Sequence, residues 1–144
     1  MVAAQRIADV LGGSAAFGKP IRSLRQLSEV VERGLPKSSL RSTVDHLTES
    51  AVERRRLMFR VVPEPTYKRR RDLLSPEESE RTERLARVIA TSEYVWDDDA
   101  QSRRFLSAPH PGLAGKSPLD AAVSELGARL VEELLVRILH GLPA

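Results

Sequence analysis

The sequence predicts an all-α protein. Two observations carry this. Apolar residues recur at helical spacing along the chain, and no run sustains the period-two alternation of a half-buried strand. Ser-Pro pairs at Ser75–Pro76 and Ser117–Pro118, each followed by acidic residues, mark helix starts. The 144 residues fit one compact domain or two small ones. Hydrophobic residues make up 41%, but only six are Phe, Trp or Tyr, so the core must be Leu, Val, Ile and Ala. Cysteine is absent, which removes disulfides and thiolate metal sites and fits a reducing compartment. Arg6 and Asp9 interrupt the apolar N-terminal stretch, so neither a signal peptide nor a membrane span is expected there.

In the first half, "IRSLRQLSEVVERG" places Ile21, Leu24, Leu27, Val30 and Val31 on one helical face, stopped by Gly34. Leu40, Val44 and Leu47 continue the spacing in a second helix. "TESAVERRRLMF" begins at Thr48 or Ser50 with Val52, Leu57 and Phe59 on its apolar side. "RVVPEP" breaks the pattern, and "TYKRRRDL" resumes it as a short basic helix. Between Arg54 and Arg71 lie eight basic residues and a single acid, Glu64. The whole chain carries only +3, so this block holds the basicity, and it points to a polyanion partner at one place. A helix, a tight turn and a basic helix make a helix-turn-helix pattern. Its second helix is expected to carry Thr66, Tyr67, Lys68, Arg69, Arg70 and Arg71 as DNA contacts, arginines reading guanine edges or holding phosphates.

In the second half, Ser75 caps a long helix with Pro76 first and Glu77 and Glu78 at the positive end of the dipole. Glu77–Arg81, Glu80–Arg84 and Glu83–Arg87 are spaced for ion pairs, and Leu85, Val88, Ile89, Ser92 and Trp96 make its buried face. Asp97 to Asp99 precede another short helix and read as acids at a helix N-terminus. Leu126, Leu130, Leu134 and Ile138 form one stripe of the final helix, and Val131, Leu135 and Leu139 another. A break is expected between Ser124 and Gly127, and Gly141 is the stop.

The chemistry of catalysis is thin. Gly115-Lys116-Ser117 resembles the end of a phosphate loop, but the spacing requires a glycine at His110. Pro109 and Pro111 also deny it a preceding strand. "GLAGKSP" is therefore a helix entry. His46, His110 and His140 have no ligand-like spacing and read as surface or helix-end residues. No nucleophile elbow or dinucleotide loop is present, so no enzyme, metal or cofactor is expected.

"LSPEESERTERLARV" and "FLSAPHPGLAGKSPLDAAVSELGARLVEELLVRILHGLPA" resemble the C-terminal domain of the Xre/MbcA/ParS antitoxins, in Leu74 to Ser79, Pro111 to Pro118 and Leu135 to Gly141. The resemblance implies an Xre-like helix-turn-helix region over 1–74 and a toxin-binding antitoxin domain over 75–144 that ends in a long helix. It implies a cognate RES-domain toxin as partner, with an ADP-ribosyltransferase-like fold that degrades NAD⁺. It further implies that the chain's C-terminal end plugs the toxin's cleft, through Lys116, Arg137, His140, Gly141, Leu142, Pro143 and Ala144. Operator DNA and a second copy of the chain are the other partners, the complex repressing its own operon. A cytoplasmic protein follows, nucleoid-associated on its operator. The competing reading is a stand-alone helix-turn-helix regulator whose C-terminal domain only dimerises.

Overall fold

A computed structural model describes residues 2–143. Ten α-helices follow one another in it: α1 Ala4–Val10, α2 Gly13–Phe17, α3 Leu24–Arg33, α4 Lys37–Asp45, α5 Ala51–Val61, α6 Glu64–Arg69, α7 Pro76–Trp96, α8 Asp99–Ser107, α9 Pro118–Ala121 and α10 Glu125–Leu139. A single 3-10 turn, Pro111–Leu113, sits between α8 and α9. The described residues contain no strand, only one isolated bridge between Pro36 and Leu73. The all-α expectation holds.

α7 is the axis of the molecule. α1, α3, α4, α5, α8 and α10 all pack against it. Its start is fixed as the Ser-Pro signal requires. Ser75 Oγ accepts from the Glu78 N–H, and the Glu78 carboxylate accepts from the Ser75 N–H, a complete capping box. Val88, Ile89 and Ser92 are buried as the spacing predicts, and Leu85 and Trp96 are partly so. Because α7 is surrounded, Glu78, Ser79, Thr82, Ala86, Ala90 and Thr91 are buried too. Its buried hydroxyls find local partners: Thr82 Oγ1 donates to the Glu78 carbonyl at 2.8 Å, and Ser92 and Ser102 share a hydrogen bond of 2.7 Å.

Of the three ion pairs expected along α7, only Glu83–Arg87 forms, at 3.1 Å. Arg81 Nε donates to the Val61 carbonyl at 3.0 Å, and Arg84 turns to Glu125 on α10. Both arginines thus reach acceptors on neighbouring elements, the end of α5 and the start of α10, and leave their own-helix acids without them. Leu24 departs from its expected face. Ser23 is the N-cap of α3, which leaves Leu24 at the first helical position and 73% exposed.

The α3–α4 turn, Gly34-Leu35-Pro36, docks on the segment that follows α6. The Leu74 N–H donates to the Leu35 carbonyl at 2.8 Å, and the Lys37 N–H donates to the Asp72 carbonyl at 3.0 Å. The Leu35 N–H donates to Ser79 Oγ on α7 at 2.8 Å. Gly34 has φ of 108°, and a Cβ there would lie 2.5 Å from the Leu74 carbonyl oxygen. Only glycine serves both the left-handed backbone and this approach.

Candidate functional site

α5 and α6 form the expected helix-turn-helix, and the turn between them is tight. Val62 is fully buried, and Pro63 is the N-cap of α6. Pro65 lies in the first turn of α6, where its missing N–H costs nothing. α6 stops at Arg69, and Arg70 is already extended at φ −70°, ψ 137°. The sequence expectation that one helix carries Thr66 through Arg71 is corrected in that respect: Arg70 and Arg71 follow it. The reason is on α7. Arg70 donates from both Nε (3.0 Å) and its second terminal nitrogen (2.9 Å) to the Glu78 carboxylate. That clasp, together with the Lys37–Asp72 and Leu35–Leu74 backbone bonds, pulls the chain out of helix.

Tyr67 is also held within the fold. Its ring packs edge-on against Phe59 at 6.0 Å, Lys37 Nζ lies 4.4 Å from its centroid, and its hydroxyl donates to the Lys37 carbonyl at 3.4 Å. Lys37 Nζ itself donates to the Arg70 carbonyl at 2.9 Å. Thr66 is half-buried, whereas Lys68, Arg69 and Arg71 are exposed.

Most of the basic block is internally paired. Arg54 meets Asp45 at 3.1 Å, Arg55 meets Glu64 at 3.2 Å, and Arg56 meets Glu53 through Nε at 3.0 Å. Arg60 meets Asp120 at 2.7 Å, and Lys68 meets Glu64 at 3.0 Å. Among the described residues, Arg69 and Arg71 are the members of the block that make no ion pair. The carboxyl groups respond. The Arg70 guanidinium holds Glu78 down to about 2 from 4.5, with help from the Ser75 N–H. The Lys68 ammonium lowers Glu64, and the Arg60 guanidinium lowers Asp120.

The loop before α9 turns its donors inward. The N–H groups of Leu113 and Gly115 both donate to the His110 carbonyl, that of Ala114 to Pro111, and that of Lys116 to Leu113. The Gly112 N–H donates to His110 Nδ1 at 2.9 Å. No cradle of free amides faces outward, so the loop is no phosphate site, in agreement with its spacing. His110, read from sequence as an ordinary residue, is the post around which the loop winds. The loop launches the short α9, through Ser117 Oγ and the Asp120 N–H. α10 begins afresh at its own cap, where the Gly127 N–H donates to Ser124 Oγ at 3.0 Å. A Cβ on Gly127 would collide with the Ala121 carbonyl oxygen, so α9 and α10 meet at a point only glycine allows.

α10 lies on α7 through Ala128, Val131, Leu134 and Leu135, all buried. Arg87 donates to Glu132 at 2.6 Å and to Glu83 and Glu125, and Arg84 donates to Glu125 and to the Val123 carbonyl. Burial pushes Glu83 above the usual carboxylate range, and Arg87 offsets part of that. Leu126 and Leu130, expected within the packed stripe, are 71% and 51% exposed. Only the first half of that stripe stands off the core: Leu134 is buried and Ile138 partly so, whereas Leu139 of the Val131/Leu135 stripe is 45% exposed.

The far end of α10 closes in a Schellman motif. Gly141, at φ 67°, donates to Ile138, and the Leu142 N–H reaches the Arg137 carbonyl at 2.8 Å. Gly141 is the stop its sequence position indicated. Arg137, His140, Gly141, Leu142 and Pro143 lie together on this exposed turn, whereas Lys116 is exposed on the loop before α9. Ala144, the last of the residues expected at a toxin, lies outside the described residues. Of the other histidines, His46 has a specific role: Nδ1 meets Glu93 at 2.8 Å, and Arg103 donates to the His46 carbonyl at 2.9 Å. Nothing in the local sequence points to this, because the partners lie 47 and 57 residues away.

Comparison with known proteins finds two matches along the chain. Residues 26–87 match the antitoxin Xre-like helix-turn-helix domain, and residues 92–141 match the antitoxin Xre/MbcA/ParS C-terminal toxin-binding domain. An antitoxin Xre of Pseudomonas putida is 33% identical over 84 residues, which cover 56% of this chain and 53% of that protein. The chain thus spans about half the length of this curated relative. With the two domains in tandem on an all-α frame, the chain belongs to the Xre/MbcA/ParS antitoxin family.

Proposed function

We propose that this protein neutralises a RES-domain toxin that degrades NAD⁺, and that the complex represses its own operon. The observation that carries the reading is the toxin-binding domain match over 92–141, on a chain that also has the helix-turn-helix. The work divides at residues 1–74 for DNA and 75–144 for the toxin, with α7 opening the second region. On the toxin side, Arg137 and the turn from His140 to Pro143 enter the cleft, with Lys116 at its edge. An arginine and a histidine on an exposed turn suit a pocket shaped for the charged groups of NAD⁺. On the DNA side, Thr66, Lys68, Arg69 and Arg71 meet the operator, while Tyr67 and Arg70 hold α6 at its angle. Two copies bind together, matching two half-sites about one helical turn apart. The protein acts in the cytoplasm, at the nucleoid when on its operator; among the described residues no helix is long and apolar enough to cross a membrane.

Co-expression with a RES-domain protein encoded beside it, followed by affinity capture, tests the partnership. A stoichiometric complex is expected. If the RES protein passes through unbound while the operator is still retained, the chain is instead a stand-alone regulator whose C-terminal domain dimerises.

A further inference from the structure

α6 has little core to hold it. It is six residues long, too short to be stable alone, and each of its residues is exposed or half-buried. Contacts at its edges therefore set its angle. On one side Glu64 takes Arg55 of α5 at 3.2 Å. On the other, Tyr67 lies edge-on to Phe59 and under the ammonium of Lys37, which comes from α4.

Lys37 meets α6 and its exit at four points. Its Nζ lies 4.4 Å from the centroid of the Tyr67 ring and donates to the Arg70 carbonyl at 2.9 Å. Its own carbonyl accepts from the Tyr67 hydroxyl at 3.4 Å, and its N–H donates to the Asp72 carbonyl at 3.0 Å. The first two need the ammonium, one as a cation over an aromatic face and the other as a charge-assisted hydrogen bond. The side chain is half-buried, where both attractions exceed their strength in water. The ammonium is thus spent inside the fold, between a ring on α6 and the carbonyl just past its end. Thr66, Arg69 and Arg71 flank that anchor.

We infer that Lys37 is a positioning residue for operator recognition: held between the Tyr67 ring and the Arg70 carbonyl, it sets the angle at which α6 presents Thr66, Arg69 and Arg71. This rests on the reading that α6 meets operator DNA, and it adds a residue from a helix outside the helix-turn-helix. Base edges are read through directional, often bidentate hydrogen bonds, whereas a phosphate accepts a cation from many directions. A tilt of α6 therefore costs sequence preference before it costs phosphate contacts.

Fluorescence anisotropy tests it, with the full-length protein, the DNA fragment upstream of its gene and a scrambled fragment of the same composition. Lys37→Met keeps the aliphatic stem and loses the ammonium. Its preference for the upstream fragment over the scrambled one should fall at least about fivefold, the ratio that a net loss of about 1 kcal/mol gives. The slope of log affinity against log salt should stay as in the wild type, because a cation spent inside the fold releases no counterions. Lys37→Arg keeps the charge and stacks on aromatic faces, so it should restore most of the preference. Lys37→Gln, with a polar but uncharged tip, repeats the test, and thermal unfolding shows which variants are folded at the assay temperature. A lysine that only stabilises the fold would weaken binding to both fragments by the same factor, and a phosphate contact would lower the slope by about one. Either result overturns the inference, as does an unchanged preference or a failure of arginine to restore it, and the DNA reading then stands without Lys37. A wild type that holds both fragments equally tightly overturns both.

Discussion

Arg70 clasps Glu78 through two parallel hydrogen bonds of 3.0 and 2.9 Å, and the same carboxylate caps α7 by accepting from the Ser75 N–H at 2.8 Å. One buried acid thus ties the end of the basic segment to the central helix. The clasp has a pH signature. The Glu78 carboxyl is lowered from 4.5 to about 2, chiefly by Arg70, so its stabilisation is complete above about pH 4.5. It is lost as the pH falls towards 2. The difference in unfolding free energy between wild type and Glu78→Gln should be constant from pH 8 to 5 and close below 4. Urea titrations across that range measure it, and a difference that survives at pH 2 would rule the clasp out as its source.

Arginines in the basic block should behave in two ways. Arg69→Ala and Arg71→Ala each remove a cation with no ion pair of its own. Each should weaken operator binding and reduce the slope of log affinity against log salt by roughly one. Arg70→Ala removes a positioning residue. It should cost thermal stability, and Glu78→Gln should reproduce its effect on DNA. Filter binding at several salt concentrations separates the two. Equal stability losses in Arg70→Ala and Arg71→Ala would refute the distinction.

Gly34 and Gly127 should resist substitution where Gly18 does not. All that opposes an alanine at Gly18 is its φ of 71°, a cost of about 1 kcal/mol. Gly34→Ala adds a collision with the Leu74 carbonyl oxygen, and Gly127→Ala one with the Ala121 carbonyl oxygen. Each should destabilise by at least about 2 kcal/mol, by analogy with strain and overpacking elsewhere. Thermal unfolding ranks the three, and Gly18→Ala as the worst of them would contradict the geometry.

His46 reports on the packing of α4, α7 and α8. Its hydrogen bond to Glu93 raises its pKa above 6.5 despite burial, Asp99 adding to the effect and Arg103 opposing it. A raised pKa stabilises the fold below 6.5, and this contribution fades as the pH rises through the folded value. His46→Asn should therefore lose more stability at pH 6 than at pH 9. An imidazole titration by NMR with a midpoint below 6.5 would contradict it.

The sequence made the caps and the helix types legible, because these are local. Ser75, Ser117 and Gly141 act where their neighbours within four residues said they would. The helix-turn-helix was legible from its two prolines and its basic block. The rest depends on contacts distant in sequence. The end of α6 is set by Glu78 and by the Leu35–Leu74 bond, so "TYKRRRDL" alone reads as continuous helix. Tyr67 reads as a free aromatic until Lys37, thirty residues earlier, is seen to cover it. Periodicity gave α10 two apolar stripes but could not say that the core takes the middle of both, Val131, Leu134 and Leu135, and leaves Leu126, Leu130 and Leu139 exposed.

NAD⁺ content tests the central claim most directly. Cells that express the neighbouring RES-domain protein should lose NAD⁺ and keep it when this protein is co-expressed. Deleting residues 142–144 should leave helicity and operator binding intact, because the packed stripe of α10 ends at Ile138, yet NAD⁺ should fall again. Arg137→Ala should cause part of that fall. Full protection by the truncated chain would contradict insertion of the C-terminal turn, and NAD⁺ loss that the intact protein never prevents would contradict the antitoxin reading as a whole.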